Sequence, residues 1–341
     1  MGPPVDQNGS DSGAGCADGG DRSAEEPPSI AGLFGTLSRA VRSRPPGELL
    51  IVVLPLPVLL VIVAFLPESG GWALSLSATG ILESRWTLWT AFASSFVHTE
   101  AGHLLDNVVN YWLVLAVAYP LSIVAGWRRR LLYAAVTYVV LVPFVSAWAT
   151  LLAFGGALDA PAAGFSDVNS AFLGYLVVVW FAALSTEAAH GGRPVPEDRS
   201  ATPSTPASSV PPRPRTTISG IDVRWSFAVV FGSLAVVFLS PSGAGYFPPS
   251  PTIALPFVVV ALGTAAYLFV RVGRPRIAGL DLPPSRELLY VTGASVGVAG
   301  VIGSLVIVPL GSNVFAHLAG YAVGVSVALV WVIGDASRTD R

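Results

Sequence analysis

Long apolar runs constrain this chain more than anything else in it, and eight come close to the length of a membrane crossing: about 49–66, 103–125, 131–155, 166–184, 226–240, 253–270, 288–310 and 314–333. A helix needs roughly 20 such residues to span a bilayer. The pattern therefore predicts an all-α polytopic membrane protein with about eight crossings, the run at 226 being the shortest. With 52% of residues hydrophobic and 12% charged, stability has to come from helix packing in lipid. The formal net charge of −2 argues neither for nor against nucleic acid, but no dense basic stripe is present, and nucleic acid is set aside as a partner. A single cysteine, Cys16, excludes an intramolecular disulfide and a thiolate metal cage.

All 19 basic residues are arginine, and short cytoplasmic loops collect positive charge. With a cytoplasmic N-terminus, Arg39, Arg42 and Arg44 precede the first run and Arg128 to Arg130 fill the turn after the second. Arg193, Arg199, Arg213, Arg215 and Arg224 follow the fourth, Arg271, Arg274, Arg276 and Arg286 separate the sixth and seventh, and Arg338 and Arg341 end the chain. Only Arg85 falls on the other side. In this orientation both termini are cytoplasmic, the loop near residue 244 is external, and the second, fourth and eighth runs all begin at the outer face.

Composition divides the rest. Residues 1–28 form a Gly/Asp/Glu-rich acidic tail expected to be disordered, and no signal-peptide pattern begins the chain. Residues 29–184 hold the first part of the membrane domain, entered through "SIAGLFGTLSRAVRSR", whose apolar face beside Arg39 and Arg42 suits either a helix on the inner leaflet or a plain lead-in. Residues 185–224 are a Pro/Ser-rich cytoplasmic linker, in which His190 is expected to be solvated. Residues 225–270 read as a transmembrane hairpin, 271–333 as the end of the membrane domain, and 334–341 as a cytoplasmic tail. No internal repeat of the transporter kind is found.

Three polar clusters interrupt the apolar runs, where ionisable groups are costly and usually functional. "FVHTEAGHLLDN" places Asn107 one helical turn below His103, with His98 in or beside the external loop. "GFSDVNSAFLG" repeats Ser166, Ser170 and Gly174 every fourth residue, and "HLAGYAVG" puts His317, Gly320 and Gly324 on one face. Small faces let membrane helices approach closely, so the two faces predict that Ser166 and His317 meet. A serine hydroxyl becomes a nucleophile when a base takes its proton. Asn107 and His103 could then hydrogen-bond an oxyanion. Asp106 and Asn110 read as structural or water-facing.

With these residues in view, the chain resembles the rhomboid intramembrane serine proteases, whose motifs HxxxxHxxxN, GxSx and HxxGxxxG appear here in order as His98–Asn107, Gly164–Asp167 and His317–Gly324. The resemblance covers about 49–184 and 288–333. It implies a rhomboid-like six-helix core with two extra crossings, the hairpin at 226–270 being the insertion and 288–310 the fifth core helix. It implies a catalytic dyad of Ser166 and His317, and an oxyanion site of Asn107, His103 and the Ser166 backbone N–H, with His98 in the same polar cluster. Gly164, Gly174, Gly320 and Gly324 would serve close packing. Transmembrane protein substrates and membrane lipid are the implied partners, and no cofactor or metal is implied.

Three departures stand out. Asp167 replaces the usual small residue after the serine, and a carboxylate about 6 Å from an oxyanion opposes it by roughly 3 kcal/mol at an effective dielectric near 20. As a first-turn residue it also suits the positive end of the helix dipole and need not point at the site; having no assigned chemical role, it is expected to be removable with activity intact or raised. The loop residue pair Trp89–Thr90 stands where the family carries Trp-Arg, which bears on anchoring of the loop. Three apolar runs, rather than one, separate the serine and histidine segments. A non-cutting relative that binds transmembrane clients therefore stays open, as does a transporter. A metal site of His98, His103, Asp106 and His317 is conceivable, although the HExxH spacing is absent.

Overall fold

The structure is a computed structural model that describes residues 46–191, 222–240, 250–273, 282, 284–307 and 312–339. The acidic tail with Cys16, the segment 30–42, the greater part of the linker, the loop near 244 and the side chain of His190 lie outside the described residues.

The described chain is almost wholly helical. Helices α1 (Pro46–Val53), α2 (Pro55–Phe65) and α3 (Arg85–Ala93) lead to α4 (Ala101–Val124), α5 (Arg128–Phe154) and α6 (Ser166–Gly191). After them come α7 (Trp225–Leu239), α8 (Pro251–Arg271), α9 (Pro284–Val301) and α10 (Val314–Thr339). Six of these, α4, α5, α6, α8, α10 and α9 with its extension to Val306, are long and apolar enough to cross a membrane. Together they define a multi-pass membrane protein. Six of the expected eight crossings are thus present by length and composition, and the other two runs form shorter apolar helices, Leu50–Phe65 and Trp225–Leu239. Pro55, which has no N–H, divides the first into α1 and α2. At 15 residues, α7 rises about 22 Å, short of a hydrocarbon core of about 30 Å.

Helix α6 is the centre of the bundle. Val168, Ala171, Phe172, Leu173, Tyr175 and Leu176 are all buried, so no side of this helix is free, and it touches α4, α5, α9 and α10. The outer helices show the opposite: Leu105, Val109 and Leu113 on α4, Val136 and Val140 on α5, and Val259, Leu262 and Val270 on α8 are exposed, an arrangement that suits hydrocarbon rather than water.

Small residues set the contact between α6 and α10. A Cβ on Gly320 would collide with the Asp167 carbonyl and one on Gly324 with the Ala171 carbonyl, while a Cβ on Gly174 would lie 2.5 Å from the Tyr321 oxygen and 2.8 Å from the Val325 nitrogen. Backbone therefore meets backbone along two turns. Tyr138 on α5 ties this pair to a third helix by donating to the Gly324 carbonyl at 2.9 Å. On the other flank, α9 approaches α6 through Gly293 and Gly300, and Trp180 Nε1 donates to the Tyr290 carbonyl at 2.9 Å. An ion pair joins Arg286 to Glu187 at the same end of α9.

The segment between α2 and α4 folds over one end of the bundle. Strand β1 (Leu74–Ser75) pairs antiparallel with β2 (Pro161–Ala162), which lies just before α6. Ser84 caps α3 by accepting from the Thr87 N–H at 2.9 Å. Rings continue the anchorage: Trp72 to Trp89 at 5.8 Å, Phe92 to Phe144 at 5.6 Å and Phe96 to Phe165 at 6.0 Å. Thr90, where the resemblance led to an arginine, is buried and donates to the Thr87 carbonyl at 3.1 Å. Strand pairing and aromatic contacts thus hold the loop without that charge.

Candidate active site

The N-terminal ends of α4, α6 and α10 carry the polar clusters, and the fold brings them to one end of the bundle. Gly164 precedes α6 with φ +129°, a region that only glycine enters freely. A Cβ there would sit 2.6 Å from His103 Nε2, so the glycine both makes the turn and lets the α4 histidine reach the start of α6. Gly164, expected to serve helix packing, belongs to this turn, held by its N–H to the Ser94 carbonyl at 3.0 Å. Ser166 follows as the first residue of α6.

Asn313 begins α10 as a cap. Its Oδ1 accepts from the Ala316 N–H at 3.2 Å and its Nδ2 donates to Thr150 Oγ1 at 2.6 Å. One turn on, His317 is buried. Its Nε2 lies 2.7 Å from Ser166 Oγ, and its Nδ1 lies 2.8 Å from the Ser304 carbonyl. A carbonyl only accepts, so Nδ1 carries the proton and Nε2 presents a lone pair to the serine hydroxyl. Ser304 can offer that carbonyl because the end of α9 runs into a π-turn, Ile302–Val306, closed by the Ile307 N–H on the Ile302 carbonyl at 2.7 Å. Carbonyls in the last turn of a helix have no partner along the helix.

A second histidine is set up in the same way. His98 Nδ1 faces the Phe96 carbonyl at 3.3 Å, and its Nε2 accepts from Asn107 Nδ2 at 3.0 Å. Burial, with a smaller contribution from nearby His103, lowers the His98 pKa to about 4, against the opposing effect of the Phe96 carbonyl. The ring therefore stays neutral at physiological pH, as an acceptor must. Asn107 Nδ2 also lies 3.1 Å from the His103 carbonyl and 3.2 Å from His103 Nε2. From α6, Asn169 Nδ2 donates to the Asn107 backbone carbonyl at 2.9 Å and to its Oδ1 at 3.2 Å.

Asp167 faces away from this machinery. Its carboxylate is buried and accepts from Ser95 at 2.8 Å, Ser146 at 2.5 Å and the Val168 N–H at 2.7 Å. The hydroxyl of Ser166 is directed to α10, whereas the Asp167 carboxylate is directed to α5 and the 94–96 turn. It clasps three elements around the serine, which revises the expectation that its removal would be harmless. Asp106 and Asn110 are exposed. Ser170 bonds back to the Ser166 carbonyl at 2.8 Å.

Sequence reasoning missed Ser304, Asn169, Ser95 and Ser146. Asn169 left a signal, as an amide in an otherwise apolar helix. Ser304 left none, since it acts through its backbone.

Chemically, the arrangement provides a hydroxyl on an oriented neutral imidazole, beside the first N–H groups of α6, which lack intrahelical partners. An amide and two further imidazoles complete it. Such a set can add an alkoxide to a carbonyl and bear the resulting charge. The chain matches no family model, no curated protein and no solved structure.

Proposed function

We propose that the chain is an intramembrane serine protease of the rhomboid type, which hydrolyses peptide bonds in or near transmembrane segments of other membrane proteins. The observation that carries this reading is the 2.7 Å contact of Ser166 Oγ with His317 Nε2, made while Nδ1 is committed to a carbonyl. Ser166 attacks the scissile carbonyl as His317 takes its proton. The oxyanion is received by the Ser166 N–H, Asn107 and His103, and the C–N bond breaks as His317 protonates the leaving amine. Water, deprotonated by the same imidazole, then releases the acyl group from Ser166. No step requires a cofactor. The core would comprise six helices with α7 and α8 as an insertion, both termini would be cytoplasmic, and the site would open near the outer face, as the arginine sorting favours.

The test is labelling and cleavage in detergent. A fluorophosphonate probe should attach to Ser166, and His317→Ala should abolish attachment. Each of Ser166→Ala and His317→Ala should lower cleavage of a transmembrane peptide by roughly 10⁴-fold or more, the double variant being little worse. Asn107→Ala should slow turnover by roughly 10²-fold. Undiminished cleavage by Ser166→Ala would end the proposal, and binding of transmembrane peptides without any cut would favour a non-cutting relative.

A further inference from the structure

We propose that Asn169 is a positioning residue that fixes the orientation of the Asn107 side-chain amide, keeping its N–H end toward His98 and His103, the side on which it would receive an oxyanion; this rests on the protease reading above. The two ends of an asparagine amide are nearly the same size and opposite in polarity. One end would stabilise an oxyanion and the other would repel it. Something has to choose between them, and the choice can be traced to a group that does not rotate.

That group is the backbone carbonyl of Asn107, fixed in α4, which accepts from Asn169 Nδ2 at 2.9 Å. Because a carbonyl only accepts, this bond sets the orientation of the Asn169 amide. The same Nδ2 then lies 3.2 Å from Asn107 Oδ1, which sets Asn107 in turn. Were the Asn107 amide reversed, its Nδ2 would face the Asn169 donor and its Oδ1 would face the His103 carbonyl, now 3.1 Å from Nδ2. Both contacts would become repulsive. His98 adds to the discrimination, since its Nε2 accepts from Asn107 Nδ2 at 3.0 Å.

Asn169 follows Ser166 by three residues on α6 and points to α4, while Ser166 points to α10, so one helix carries both the nucleophile and the residue that aligns the donor. Its other end has no such use: Asn169 Oδ1 is buried with no hydrogen-bond partner among the described residues. A half-paired buried amide is a poor choice for packing alone. What the position gains from asparagine is the donor.

A double-mutant cycle with the full-length protein tests this, using a transmembrane peptide as substrate and thermal unfolding as a check on the fold. Asn169→Ala should lower kcat about tenfold with KM nearly unchanged. In an Asn107→Ala background it should change kcat by less than about twofold, since the group it aligns is gone. Asn169→Leu, which keeps about the same size and has no donor to Asn107, should behave in the same way and provides the cycle if the alanine variant unfolds. Effects of Asn169 substitution that multiply undiminished with Asn107→Ala, or that fall on KM alone, would overturn the proposal. Wild-type protein that neither labels at Ser166 nor cleaves would instead overturn the protease reading.

Discussion

The α6–α10 and α7–α8 pairs are both built from apolar helices, yet they touch by different means. The first two run parallel, and Gly174, Gly320 and Gly324 bring main chain against main chain. The second two are antiparallel, joined where the Ser250 N–H meets the Phe238 carbonyl at 2.8 Å and faced with rings, Phe238 on Phe257 at 5.6 Å and Phe231 on Phe257 at 6.2 Å. Their own glycines are incidental to the contact, since a Cβ on Gly232 or Gly263 would meet nothing within 4 Å. Ring contacts adapt by rotamer, whereas a backbone contact has no side chain to move. The fold places its hydroxyl–imidazole pair on the interface with the least freedom, which suits a bond that works only over a few tenths of an ångström.

The greatest effect should come from violating that interface. In Gly320→Leu the new side chain must displace the Asp167 carbonyl, and with it the start of α6, so cleavage should fall by roughly 10²-fold or more even in protein that inserts normally. Unaltered turnover in a well-folded Gly320→Leu variant would show that the helices can separate without parting Ser166 from His317. Smaller, and mainly on stability, is the effect of Asp167→Ala. It leaves the Ser95 hydroxyl without its buried acceptor, at about 1–3 kcal/mol for the group stranded, while Ser146 can still donate to the Pro143 carbonyl at 3.1 Å, and thermal unfolding should register the loss with activity declining alongside. Asp167→Asn should lie between that variant and the wild type. The smallest effect belongs to the other pair: Gly232→Ala and Gly263→Ala should leave cleavage within twofold and melting unchanged or slightly raised, because alanine favours a helix over glycine by about 1 kcal/mol. A large loss from either would erase the distinction between the two interfaces.

How much of this could be read from sequence follows from the range of each interaction. The small-residue faces of α6 and α10 repeat every third or fourth residue, so helical geometry alone aligns Ser166 with Gly174 and His317 with Gly324. The apolar runs are likewise plain, but their lengths do not reveal that Pro55 splits the first or that the helix formed by the fifth, α7, has only 15 residues. The clasp made by Asp167 is not legible in sequence, because only its neighbours along the chain are visible there. The hydroxyls that donate to it come from positions 72 and 21 residues away. Ser304 is the extreme case, since any residue type could supply the same carbonyl.

The Ser304 carbonyl also makes the two members of the pair unequal. At the end of α9 it is a helix-terminal group that needs a donor wherever water is scarce, and His317 Nδ1 supplies one at 2.8 Å. The imidazole thus stops the end of one helix as well as facing a hydroxyl on another, whereas the Ser166 hydroxyl closes nothing. Loss of the serine leaves the scaffold nearly intact, while loss of the histidine also unfastens the end of α9. Substitution at position 166 should therefore cost the fold less than substitution at 317, whatever either does to cleavage.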